Sequence, residues 1–219
     1  MENNYRNTIY CLKLDNIDKK KKVLNAEIVK KHPKVRIIYN KIKENDGEYK
    51  SKFMNIYNYK CSYCGTSVKN IGLNLLEVDH YICESIFKSK EIAGKIENLV
   101  LACYDCNRSK RNFVIENKYR DVLNPDLENI NDVFFRDDLF YICISDKYKN
   151  DAFIKAFYKK LKLDYQTRRL DFLLMNLRGL CDKMQGKPQA EKLYTIIEKL
   201  QQKRNITSCK KIVGQAICD

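Results

Sequence analysis

The sequence predicts an α+β fold: a mainly helical chain around a small strand–loop–strand–helix module, stapled by a pair of metal-binding knuckles. Three observations predict it. Cys61-Ser62-Tyr63-Cys64 and Cys103-Tyr104-Asp105-Cys106 are two Cys-x-x-Cys knuckles. Two short apolar runs, residues 73–78 and 98–102, lie between them and suit strands. Much of the remaining chain repeats apolar residues at helical spacing.

Each knuckle offers two thiolates from one tight turn, so Cys61, Cys64, Cys103 and Cys106 together make a tetrahedral zinc site. Ordinary zinc ribbons separate their knuckles by about 15 to 20 residues. Here residues 65–102 intervene, enough for a strand, a long loop and a second strand. The zinc therefore reads as a staple, and the Asp79-His80 pair between the knuckles as what it positions. The chain has ten cysteines. With no secretory signal in the polar start, metal binding in a reducing cytosol is a better account of them than a disulfide framework. Cys11, Cys83, Cys143, Cys181, Cys209 and Cys218 show no pairing pattern and read as small hydrophobes.

Composition narrows the function classes. A chain of 219 residues with 44% hydrophobic and 32% charged residues can bury a core and remain soluble. Its formal net charge of +14 favours nucleic acid, an anionic surface or an acidic partner. No apolar run approaches a membrane span, so no membrane association is expected and the expected location is cytoplasmic.

In chain order, residues 1–58 read as a basic helical N-terminal region. A helix is expected from Asp18 to about Lys31, ended by His32-Pro33, with Lys19 to Lys22 as a solvated face. His32 has no evident partner. A second helix over residues 35–43 and a turn over 44–47 follow. Residues 59–122 form the knuckle module: a strand into Asp79-His80, a polar loop, a strand from Asn98, and a helix over about 105–118. Residues 123–204 read as a strand pair within 133–145, then helices with apolar stripes through Leu170, Leu174, Leu177 and Cys181, and through Leu193, Ile197 and Leu200. Residues 205–219 read as a loosely held tail.

The chemistry sits in the module. Phosphodiester hydrolysis needs an activated water and charge stabilisation on the phosphate and leaving oxygen, which a near-neutral histidine and one divalent cation can supply. Asp79 and His80 are adjacent, so a strand end can turn one toward a metal and the other toward a water. Asn107 adds a neutral oxygen ligand suited to a hard ion.

These residues, with Asn98 and Lys110, resemble the HNH endonucleases, or ββα-metal nucleases, over about 50 residues. The resemblance implies His80 as general base and Asp79 with Asn107 as ligands of a catalytic Mg²⁺ or Mn²⁺. It implies Asn98 as a brace for the loop and for His80, and Lys110 near a phosphate with Arg108 and Arg111 beside it. The chain departs from the family pattern in ending the motif with Asn107 rather than histidine. It also has Cys83 where a proline is common, and a 81–97 loop without paired glycines. A looser likeness, through Asn124-Pro125 and Arg168-Arg169-Leu170, is to HNH proteins of bacterial defence loci, Septu-type and retron-associated ones included.

The function expected is thus a DNA endonuclease of a defence or restriction system; the residues alone leave RNA open. The alternative is a non-catalytic zinc module that binds nucleic acid or serves as an adaptor. No nucleotide-binding loop is present, since the glycine-lysine stretch at 179–187 has the wrong spacing. Control is therefore expected from a regulatory protein partner such as an ATPase, docking on the helices after residue 150.

Overall fold

The computed structural model describes residues 4–44 and 47–216, with side chains described as far as residue 208. Residues 1–3 of the polar start, Asn45 and Asp46 of the expected turn, and residues 217–219 of the expected tail lie outside the described residues. The fold is the α+β arrangement expected, mostly helical with two small two-stranded sheets.

Three helices precede the knuckles: α1 (Ile17–Lys31), α2 (Ile38–Lys43) and α3 (Glu48–Ile56). Helix α1 buries Ile17, Lys21, Leu24 and Ile28, one face at spacings of four, three and four. Lys21 is therefore not part of a solvated lysine face. Its ammonium is buried with Asp126 at 2.6 Å, and also donates to the Leu99 carbonyl at 2.8 Å. Tyr57 donates to Asp126 at 2.9 Å from the other side. The lysine run spans more than one helical face, so one of its members has to point inward. His32 likewise has a partner, Tyr49, 3.1 Å from its Nε2.

Removing one member of a buried ion pair leaves the other charge unpaired in a dry site, at a cost of about 3–5 kcal/mol. Lys21→Ala is expected to lower the urea midpoint accordingly. Lys20→Ala, which breaks an exposed pair with Asp15, is expected to change it by less than about 1 kcal/mol. Equal effects of the two in urea titrations would show that the buried network contributes nothing special.

The module follows as α4 (Val68–Ile71), β1 (Leu76–His80), α5 (Lys90–Ala93), β2 (Leu99–Cys103) and α6 (Tyr104–Lys110). Strands β1 and β2 pair antiparallel, Leu76 opposite Cys103 and His80 opposite Leu99. The first strand starts later than the apolar run suggests. Gly72, at φ +79°, breaks the chain there and residues 73–75 form a single helical turn. The strand instead includes Asp79 and His80.

Helix α6 is much shorter than residues 105–118. It stops at Arg111, which takes a left-handed φ of 45°. The chain then turns inward so that Phe113 packs on Phe153 and Phe157, with ring centroids 5.4 and 5.8 Å away. Burial of that aromatic cluster outweighs helix continuation.

The remaining elements are α7 (Ile130–Val133), β3 (Phe134–Arg136), β4 (Ile142–Ile144), α8 (Ala152–Lys160), α9 (Gln166–Lys183) and α10 (Gln189–Ala216). Strands β3 and β4 form the expected hairpin. One hydrophobic core runs from Tyr5 to Leu163 and takes in α1, both module strands and α8. The stripes of α9 and α10 face each other in a second cluster around Leu174, Cys181, Ala190 and Ile197. Helix α10 continues to Ala216, past the expected end of the helical pattern near residue 204. No helix among the described residues is long and apolar enough to cross a membrane.

Candidate functional site

The four knuckle cysteines converge. Their sulfurs all lie within 4.8 Å of one another and all four residues are buried. The Cys64 and Cys103 sulfurs are 3.8 Å apart. That is far beyond a disulfide bond of about 2.05 Å. It equals the edge of a tetrahedron with Zn–S bonds of about 2.3 Å, roughly 3.8 Å. A dry site of four thiols and no other donor is compatible with zinc.

Local backbone explains the convergence. The first knuckle is a tight turn, with the Gly65 N–H bonded to the Cys61 carbonyl at 2.9 Å. Gly65 has φ +77°, and a Cβ there would meet the Arg6 backbone at 2.8 Å, so only glycine fits. The Ser62 N–H donates to the Leu101 carbonyl at 2.7 Å, which ties this turn to β2. The second knuckle leaves β2 at Cys103 and enters the first turn of α6, bringing Cys106 round to the same point. Hydrogen bonding to Cys103, then to Cys61 and Cys64, pushes the Cys106 thiol well above its ordinary pKa. Metal binding at this cluster must therefore displace protons.

Arg168, from the first turn of α9, is the residue that sequence reasoning missed here. It is buried, with Nη2 3.4 Å from the Cys106 sulfur and Nη1 3.8 Å from the Cys103 sulfur. Burial alone would depress its pKa, but the thiols of Cys106, Cys64 and Cys103 outweigh it and hold the guanidinium charged. A zinc ion on four thiolates carries a net double negative charge, which a buried guanidinium offsets. No spacing in the sequence marks Arg168, because its partners lie more than 60 residues away. Arg168→Gln is expected to release zinc at least about tenfold faster, the usual scale for groups that support metal ligands. Chelator-dye kinetics would read this, and an unchanged rate would show that Arg168 does not support the site.

Asp79 and His80 close β1 at the other end of the module. Lys110 joins them: its ammonium lies 3.1 Å from Asp79 Oδ2 and donates to the His80 carbonyl at 2.8 Å. The Lys110 side chain is only 1% exposed, so it faces inward rather than toward a phosphate at the surface. Burial raises the Asp79 pKa, and Lys110 opposes that rise. His80 is half-buried, its ring 4.4 Å from that of Tyr39 on α2. Burial lowers the imidazole pKa; Glu84 opposes this while Lys110 and Lys43 reinforce it.

Asn98 ties down the loop that follows. Its Nδ2 donates to the carbonyls of Ile82 and Ala93 at 3.0 and 2.8 Å, and its Oδ1 accepts from the Ile82 N–H at 2.8 Å. Residue 82, two beyond His80, is thereby held on both sides.

Asn107 donates from Nδ2 to Glu77 Oε2 at 2.5 Å. Glu77 is the second residue that sequence reasoning missed. It lies two positions before Asp79, on the same side of the strand, and strand alternation was the available signal. Arg108 approaches Glu77 at 3.4 Å and, with Arg111, is exposed. A cleft of about 430 Å³ opens here, bounded by Tyr39, Lys43 and Lys50 on one side and by Glu77, Asn107 and Arg108 on the other. Among the described residues, only the four cysteines gather three or more histidine, cysteine or acidic ligand atoms at metal-binding range.

Residues 61–113 match the HNH endonuclease family model. The match covers about a quarter of the chain and runs from the first knuckle cysteine to Phe113, just beyond α6. The HNH domain thus contains both knuckles, both strands of the first sheet, Asp79, His80, Asn98 and Asn107. The search of curated proteins and the search of solved structures gave no match.

Proposed function

We propose that this protein is a metal-dependent endonuclease that hydrolyses phosphodiester bonds in DNA. One observation carries the reading: within the HNH domain, a half-buried histidine with a lowered pKa ends β1 beside an anchored carboxylate. A neutral imidazole near pH 7 can accept a proton from water. His80 is the base that does so, and the resulting hydroxide attacks phosphorus as the bond to the 3′ oxygen breaks. Tyr39 packs on the ring and Asn98 pins the following residue, so the base is held in one orientation.

Asp79, Glu77 and Asn107 present oxygen donors, the set that hard ions such as Mg²⁺ or Mn²⁺ prefer. Asp79 and Asn107 are the proposed ligands. Such an ion, when bound, stabilises charge on the phosphate and on the leaving oxygen. Lys110 orients Asp79 from behind and favours its ionised form. Zinc on Cys61, Cys64, Cys103 and Cys106 is proposed as structural, holding the first knuckle against β2 and α6.

The reading extends to a defence or restriction role under a partner's control, supported by the likeness around residues 124–170 and by exposed Tyr194, Ile196 and Ile206 on α10. The non-catalytic alternative accounts for the cysteines and the charge, but gives no use to His80, Asp79 and Asn107.

The test is digestion of plasmid DNA and of a matched RNA by zinc-loaded protein across a Mg²⁺ and Mn²⁺ series. Metal-dependent nicking or cutting is expected. Folded, zinc-loaded protein that cuts neither polymer with any metal, alone or with its operon partner, would remove the proposal.

A further inference from the structure

The cleft beside the HNH motif has a second wall that the family match does not include. Helices α2 and α3 precede residue 61, yet Tyr39, Lys43 and Lys50 from this region line the cleft. From β1, Leu76 and Val78 line it too. By strand alternation they share a face with His80, and Tyr39 both lines the cleft and touches the His80 ring. The cleft therefore runs along β1 toward His80.

Its charge is one-sided. Lys43, Lys50 and Arg108 are set against one carboxylate, Glu77, and that group is already engaged by Asn107 and Arg108. Lys43 lies 5.3 Å from the centre of the Tyr39 ring, and its side is exposed. The lining offers few apolar surfaces on which bases could stack. Cations without stacking platforms or base-reading pairs favour phosphate contacts.

From this the geometry points to a phosphate clamp: Lys43 and Lys50 of the N-terminal helices, facing Arg108 of α6, grip the sugar–phosphate backbone of a polynucleotide and lead it to His80. This deepens the nuclease reading and rests on it for the role of His80. The grip would be blind to base sequence, and it assigns the N-terminal region a part in substrate binding.

The experiment uses full-length His80→Ala protein without added divalent ion, so that binding is read apart from chemistry. Fluorescence anisotropy with labelled duplex DNA and with single-stranded RNA is measured over a salt series. Each lysine–phosphate contact releases about 0.9 counterion on duplex DNA. Lys43→Gln with Lys50→Gln is therefore expected to make the log–log salt slope shallower by about two, and to weaken binding by about tenfold or more at low salt. Lys43→Arg with Lys50→Arg is expected to keep both, and Lys192→Gln with Lys199→Gln on α10 to leave both unchanged. Whichever polymer shows the larger slope change identifies the backbone the clamp takes.

An unchanged slope in the folded glutamine variant, judged by an unshifted melting temperature, would overturn the clamp. So would equal weakening by the α10 variant. Wild-type cleavage is scored separately: cutting with an unchanged slope sinks only the clamp, and a shifted slope without any cutting sinks only the nuclease reading.

Discussion

His80→Ala is expected to lower DNA cleavage by at least about a hundredfold while leaving the fold and DNA binding intact, the scale for removing a positioned general base. The ring is half-buried and no ion pair depends on it, so its removal disturbs packing mainly at Tyr39. Lys110 bonds to the backbone carbonyl of residue 80, and that bond survives the substitution. Added imidazole is expected to restore part of the rate, because the space beside Tyr39 would admit it. Single-turnover cleavage is the measurement, and a rate near wild type would remove His80 from the mechanism.

Asp79→Ala is a less clean comparison for a reason the structure supplies. It leaves the ammonium of Lys110 buried beside no carboxylate, a loss of stability on top of any loss of metal. Its activity therefore has to be read with a melting curve, and with Mg²⁺ or Mn²⁺ raised to look for partial recovery.

Cys103→Ser is expected to give protein that is insoluble or locally unfolded. Apparent zinc-binding free energies in small zinc modules run about 10–16 kcal/mol, against a whole-domain stability of about 5–15 kcal/mol. Losing one thiolate from a closed four-sulfur site weakens the first knuckle's hold on β2 and leaves Arg168 buried against an incomplete anionic cluster. Metal analysis of the wild-type protein should show one zinc per chain. Less than half an equivalent in folded protein, or a Cys103→Ser variant with wild-type melting, would show that the cluster is not a structural zinc site.

What was legible in the sequence was local and chemical. Two knuckles, an Asp-His pair and an Asn at the right places need no tertiary information, because metal-ligand spacing and residue type state the chemistry directly. The pairing of two short apolar runs as β1 and β2, and the facing stripes of α9 and α10, were readable from periodicity. Asn98 was expected as a brace, and its three bonds to Ile82 and Ala93 are those of a group that ties a loop.

Other features depended on which distant groups meet in the folded chain. The lysine run of α1 looks uniform, yet Lys21 alone is drawn in by Asp126, more than 100 residues away. Lys110 looks like a surface cation at the end of a helix, and becomes the buried partner of Asp79 because α6 lies across the end of β1. Helix α6 stops at Arg111 because Phe113 finds an aromatic pocket on α8. Arg168 and Glu77 carry no motif, and their placement comes from α9 docking on the cysteine cluster and from strand alternation beside Asn107. The sequence by itself determined the donor atoms and their order along the chain. Only the tertiary structure decided which charges are buried and which helices wall the cleft, because burial and pairing depend on contacts between residues far apart in the chain.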